Sequence, residues 1–319
     1  RVWLGGLTMR VGNSNAMYEW VDDWAKIPDT QSAREGWAHH GIVVSQSGNI
    51  VAFHQSDPTV LIFDRNGNLE RSWDIGLKEA HGMTLVNDLE SEYLWMSDNI
   101  SGKVLKTTLQ GTIVMSLADP DIPVYISGKY APTDVLVNEE MHGGNGDIWV
   151  ADGYGENYVH RYDKDGNYLN SINGEEGSAG AFNCPHGIWI DRRKHDAELY
   201  VADRGNQRVQ VYDLEGRFKR VFGEGYLSSP SAFVSDDNRL IVAELNARLA
   251  VLDLDDNLVC YLGDNENITE VDGWPNVSPE FIEPGKFNSP HGIAADEDGN
   301  IYVAEWLIGG RITKLAKIC

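Results

Sequence analysis

The phrase SPHGIAADEDGNIYVAEW at residues 289–306 has a near twin in CPHGIWIDRRKHDAELYVAD at residues 184–203. Each enters an alternating apolar strand straight after Pro-His-Gly-Ile, turns on polar residues, and runs into a second strand that ends on an acidic side chain. Laid against that pattern, the chain divides into six segments opening at HHGIVV, AHGMTL, APTDVL, CPHGIW, SPSAFV and SPHGIA. Repeats of about forty to sixty residues are the signature of propeller blades or a related array, because one such unit cannot bury its own apolar face.

A third strand follows in most segments (TVLIFD, YVHRYD, RVQVYD, RLAVLD), then a turn such as RNGN, KDGN, LEGR or LDDN whose Asn, Asp and Gly suit a tight hairpin. The alternation has period two, with no helix-length 3.6 period. The expected fold is all-β: a six-bladed propeller of four-stranded antiparallel blades, one domain over residues 1–319 with repeats across 36–319. The last segment carries three strands, HGIAAD, NIYVAEW and RITKLAKI. The strand-like NAMYEWVDDWAKI, within a lead-in of residues 1–28, is expected to complete the sixth blade and close the ring. Stretches 119–130 and 264–288 lack strand pattern and are expected over a rim.

A formal charge of −23, from 26 basic and 49 acidic side chains, opposes contact with phosphate backbones and anionic lipid. Nucleic acid and membranes are not expected partners; the expectation is a soluble monomer acting on a small molecule, with an anionic group as the candidate feature it recognises. The 42% hydrophobic content and ten tryptophans supply a core that a disordered acidic chain would lack. No run of eighteen apolar residues is present. The chain opens on Arg1 rather than Met, so a trimmed start is expected. Cys184, Cys260 and Cys319 show no metal-ligand spacing and suggest no disulfide framework.

In an antiparallel meander the start of strand one and the end of strand two lie at the same mouth of the channel. His40, His81, His186 and His291 begin repeats one, two, four and six, while repeats three and five carry Thr133-Asp134 and Ser231-Ala232. Blades two, four and six of a six-bladed ring are about a third of a turn apart. His81, His186 and His291 therefore converge on the axis, at equal sequence spacings of 105 (186 − 81 and 291 − 186). Repeat grammar explains the glycine and the strand, but not a histidine that skips two blades. Three imidazoles with a position left for water are a known catalytic zinc set, and imidazole also suits iron, nickel and copper. His40 is open to three roles: a fourth ligand, a catalytic proton carrier, or part of the rim.

The strand-two ends read His54-Gln55, Asp98-Asn99, Asp152-Gly153-Tyr154, Asp203-Arg204, Glu244-Leu245 and Glu305-Trp306. The near-uniform acid is expected to accept structural hydrogen bonds. Its unlike neighbours are the chemical candidates: Tyr154 to move a proton, Arg204 as a cationic fork for an anionic group, and Trp306, His54 and Gln55 as substrate contacts. His39, His142, His160 and His195 follow no such pattern and read as surface or loop residues.

LYVADRGNQRVQVYDLEGRF, with looser copies at IWVADGYGENYVHRYDKDGNY and LIVAELNARLAVLDLDDNL, resembles the NHL repeat. Within that class the chain resembles the lyase domain of peptidylglycine α-amidating enzymes. That family holds zinc with three histidines on alternate blades, matched by His81, His186 and His291. Its catalytic tyrosine in SDGY is matched by Tyr154 in ADGY, and an arginine after VAD by Arg204. The family's other arginine, after Phe-His, is replaced by Gln55. The acidic residue that follows its last zinc histidine and helps hold calcium is replaced by Gly292, so zinc is expected and calcium is not. The paired cysteines of the animal enzymes are absent, and His40 has no counterpart. The resemblance implies a metal-dependent lyase acting on a small hydroxylated substrate. A hydrolase or isomerase on the same site, and a propeller that binds without catalysis, are the alternatives.

Overall fold

A computed structural model describes residues 9–38, 41–54, 59–88, 91–236 and 238–318. Among these residues the chain forms six antiparallel sheets arranged as the blades of a propeller, and a separate two-stranded pair, Trp37–Ala38 with Leu307–Ile308. Blade one pairs Ile42–Val44, Ile50–His54, Thr59–Phe63 and Leu69–Trp73 in that order, and blade two Ala80–Asn87, Glu92–Asp98, Val104–Thr108 and Ile113–Ser116. Blades three, four and five repeat the meander from Asp134–Val137, Pro185–Asp191 and Pro230–Ser235.

Blade six is closed by both ends of the chain. Pro290–Ala295, Ile301–Glu305 and Arg311–Lys317 are joined by Ala16–Val21, which pairs with the last strand from Tyr18↔Lys317 to Val21↔Lys314. The expected closing strand is present, and Arg10–Asn13 adds a fifth strand outside it. Stretches 119–130 and 264–288 contain short 3₁₀ turns, Pro123–Ile126, Glu266–Glu270 and Pro279–Phe281, and no strand.

Period-two alternation has a specific consequence here. In the second strand of blade one, Ile50 and Ala52 pack toward blade six beside Tyr302 and Ala304, while Val51 and Phe53 pack toward blade two beside Leu94 and Met96. Both faces are buried, so the strand reads as a continuous apolar run. The core is accordingly a ring of interfaces, with one apolar cluster between each pair of neighbouring blades. The amino-terminal strand contributes Tyr18 and Trp20 to the interface of blades five and six, where Trp20 meets Phe287 at 4.8 Å between ring centroids. Trp24 then crosses to the interface of blades six and one and stands 4.9 Å from Tyr302.

The third-to-fourth turns use one device. Asp64, Asp163, Asp213 and Asp253 each accept backbone N–H bonds from the residues two and four positions on. The next turn position is left-handed, occupied by Gly67, Gly166 and Gly216, and by Asp256 in blade five. Asp256 tolerates φ 64° because its buried carboxylate is held by Arg193 and Arg220.

Deleting residues 1–28 removes two strands and three core aromatics from the closing interfaces. Cooperative thermal unfolding, followed by circular dichroism, is expected to be lost; a melt identical to that of the intact chain would refute closure by this segment.

Candidate metal centre at the channel mouth

The acids that end strand two hold the chain just ahead of strand one. Asp203 Oδ1 accepts the N–H of Asn183 at 2.7 Å, and Asp152 Oδ1 that of Ala131 at 2.7 Å. Glu305 Oε1 accepts from Asn288 and Ser289 at 2.7 and 3.2 Å, Asp98 from Lys78 and Glu79, and Glu244 from Ser228 and Ser229. Each donor lies two or three residues before His81, Thr133, His186, Ser231 or His291, so the acids place the side chains at that position. The structural reading of these carboxylates holds. In blade one the position belongs to His54, which is buried at the end of its strand.

His81, His186 and His291 are brought together at the axis, all buried, with one potential ligand atom from each within 4.8 Å of the others. His81 Nδ1 lies 2.6 Å from the carbonyl oxygen of Thr133, and His186 Nδ1 lies 2.8 Å from that of Ser231. A carbonyl only accepts, so each Nδ1 carries the hydrogen and each Nε2 presents a lone pair to the centre. His186 Nε2 and His291 Nε2 stand 3.1 Å apart. With His291 in the same tautomer, three lone pairs meet there and suit a cation among them. Imidazoles oriented through Nδ1–H bonds to carbonyls are also the usual support of a metal site. The donor set fits a divalent transition metal.

These bonds give the histidine-free blades three and five a part in the site. Their first-strand positions, Thr133 and Ser231, supply the acceptors for the histidines of blades two and four. The matching position of blade one is His40, which lies outside the described residues, as do His39 and Gln55.

The glycines after His81 and His186 permit the close approach. A Cβ on Gly187 would sit 2.2 Å from Ser231 O, the acceptor of His186, and one on Gly82 would sit 2.4 Å from the Cα of Asp134. The pair is therefore one unit: histidine to face the axis, glycine to admit the neighbouring strand.

Tyr154 Oη reaches the triad, 3.3 Å from His81 Nε2 and 3.2 Å from His186 Nε2. Burial pushes its phenol up to about 12, while the Arg204 guanidinium pulls it down. Arg204 Nη2 donates to Tyr154 Oη at 3.3 Å and lies 3.3 Å from Cys184 Sγ. Its Nη1 is buried with no hydrogen-bond partner among the described residues, a costly arrangement unless a ligand supplies an acceptor. Trp306 is half-buried against Trp37, with ring centroids 5.2 Å apart, and its carbonyl accepts from Ser289 Oγ two residues before His291. A cavity of ≈ 540 Å³ runs along the inner strands with the histidines in its wall; Tyr154 and Arg204 are not part of that lining.

Two neighbours escaped the sequence analysis. Glu79 and Cys184 occupy the position two residues before a triad histidine, and burial raises the pKa of both, with His81 pulling Glu79 down and Arg204 pulling Cys184 down. The aligned frames EAHG, CPHG and SPHG carried that signal. One expectation is corrected. His160 is fully buried on the third strand of blade three, with Nδ1 2.7 Å from Ser171 Oγ and Nε2 2.8 Å from Tyr125 Oη. A third strand is covered on both faces by neighbouring blades, so a lone polar residue in it turns inward and finds partners. His142 and His195 are exposed as expected.

The NHL repeat family profile matches residues 287–306, the phrase that contains His291. The protein is thus a six-bladed β-propeller carrying an NHL repeat. The chain is similar in sequence to the probable peptidyl-alpha-hydroxyglycine alpha-amidating lyase of Caenorhabditis elegans, 27% identical over 297 residues, covering 83% of this chain and 79% of that one. NHL repeat-containing protein 3 of Homo sapiens is 29% identical over 267 residues, covering 78% of this chain and 70% of its own length. A gluconolactonase from Xanthomonas campestris superposes with a TM-score of 0.64 at 13% identity, covering 98% of this chain and 96% of that one, a likeness of fold alone.

Gly187→Ala is expected to cost about 1–3 kcal/mol through overpacking and to weaken metal binding together with the melting temperature. Unchanged metal affinity in a folded variant would show that the blade approach at Gly187 does not orient His186.

Proposed function

We propose that the protein is a metal-dependent lyase that cleaves a small hydroxylated compound of the peptidyl-α-hydroxyglycine type. The observation that carries the reading is the convergence of three Nε2 atoms with Tyr154 Oη and the unpartnered Nη1 of Arg204 at one mouth. Homology to amidating lyases, including the probable enzyme of C. elegans, supports the substrate class.

His81, His186 and His291 would hold the ion, zinc foremost. A divalent cation so held lowers the pKa of a neighbouring hydroxyl and neutralises negative charge that develops there. Tyr154 Oη, as the phenolate, takes the hydroxyl proton and is the source of the one that the leaving nitrogen later takes up. The resulting C–O unit becomes a carbonyl as the bond from that carbon to the leaving nitrogen breaks, and the nitrogen takes up a proton. Arg204 supports this twice: it pulls the Tyr154 phenol down from a value raised by burial, and its Nη1–H donates to the carboxylate that an α-hydroxyglycine unit carries. Positive charge at the triad would lower the phenol further. Trp306 and Trp37 form an aromatic wall at the rim, and His54, Gln55 and His40 are kept as substrate contacts or proton carriers. With Gln55 where the resembled family has a second arginine, Arg204 carries the anion-binding role.

A second reading is a propeller that binds without turnover, favoured by the similarity to NHL repeat-containing protein 3, whose name states no reaction. Metal analysis and a turnover assay with a peptidyl-α-hydroxyglycine separate the two. The wild type is expected to hold about one transition-metal ion per chain, lost in each of His81→Ala, His186→Ala and His291→Ala. Tyr154→Phe should keep the metal and lose turnover by about 10²–10⁴-fold. Metal content unchanged in the histidine variants would sink the common site. Full turnover in Tyr154→Phe would remove the phenol from the reaction.

A further inference from the structure

The histidine-free start of blade three does more than leave a gap. Thr133 O accepts His81 Nδ1–H at 2.6 Å, and Thr133 Oγ1 donates to Pro185 O, next to His186, at 3.2 Å. Asp134 continues the same bridge. Its Oδ2 accepts the N–H of Ile188 at 2.9 Å, and its Oδ1 accepts the N–H of Val135 at 2.9 Å. On the other side it is packed so close to blade two that a Cβ on Gly82 would meet Oδ1 at 2.6 Å. One carboxylate thus touches the residue after His81 and the backbone two residues after His186.

Blade four is where such a hold is needed. In blades two, five and six, strand pairing resumes two residues after the first paired position, at Gly82, Ala232 and Gly292. In blade four it resumes only at Ile188, three residues after Pro185, so His186 and Gly187 both lie in the irregular stretch. The Ile188 N–H is the first fixed point beyond His186, and Asp134 binds it. Blade five, the other histidine-free blade, has Ala232 at the matching position and offers no carboxylate.

We infer that Asp134 is a positioning residue for the metal centre, setting the span between His81 and His186 through its hold on Ile188 and its packing against Gly82. This rests on the proposed metal site. Asp134 lines the axial cavity and has no cationic partner among the described residues; burial raises its carboxyl to about 7 against the pull of its two N–H donors. Positive charge at the triad is the compensation this group otherwise lacks. The carboxylate touches neither the substrate side of the triad nor Tyr154, so its influence passes through the histidines.

The test is metal affinity in Asp134→Asn, which keeps the shape and removes the charge and one acceptor, with Asp134→Ala as the second variant. Zinc dissociation constants are measured by competition with a chromophoric chelator, visible spectra are recorded on the cobalt(II)-loaded proteins, and the metal-free forms are melted. Both variants are expected to bind zinc about 10–100-fold more weakly and to shift the cobalt bands, with Asp134→Asn melting close to the wild type. Lower melting temperatures with unchanged zinc affinity and cobalt spectrum would reduce Asp134 to a structural residue and overturn the inference alone. Absence of zinc binding by the wild-type protein would overturn the metal site and this inference with it.

Discussion

Every blade buries both of its faces against its neighbours, and the ring closes only if the last interface is as good as the others. That constraint governs the rest of the molecule. Six apolar clusters, one per interface, fix the angle between neighbouring blades, and the amino-terminal strand with Tyr18, Trp20 and Trp24 supplies two of them from the far end of the chain. The inner strands have no freedom to drift, so whatever stands at their first position is delivered to the axis within hydrogen-bond distance of the next blade.

The metal centre is built from that delivery. Acids at the strand-two ends pin the backbone ahead of each strand, glycines let neighbouring strands approach, and the carbonyls of Thr133 and Ser231 turn two imidazoles so that their lone pairs meet. Alternate blades do different work. Those with histidine provide ligand atoms, and those without provide the carbonyls that orient them. Tyr154 and Arg204, from the strand-two ends of blades three and four, approach the triad from the same mouth.

The repeat phrases made the blades, the closing strand and the histidine triad legible, because each depends on residue type at a fixed position in a period. His81, His186 and His291 stand out against the repeat since Thr133 and Ser231 interrupt it. The roles of Thr133 and Ser231 themselves were not legible, since a backbone carbonyl leaves no mark on residue identity. His160 misled for a related reason. A polar residue on an alternating strand reads as outward-facing, yet in a propeller both faces of a middle strand are interior, and Ser171 and Tyr125 meet it there. Glu79 and Cys184 lay in view in the aligned frames, but nothing local says that the position two residues before a histidine reaches the same mouth.

The sequence by itself determined a six-fold β repeat, the identity of the three inward histidines and the unlike side chains at the strand-two ends. Alternation and turn chemistry are local, and a repeat carries them to the same place in every blade. Only the tertiary structure decided which nitrogen of His81 and His186 faces the axis, that Arg204 keeps a buried donor open among the described residues, and that Asp134 spans from blade two to blade four. Those facts depend on contacts between segments some fifty residues apart, set by how the blades pack around the ring.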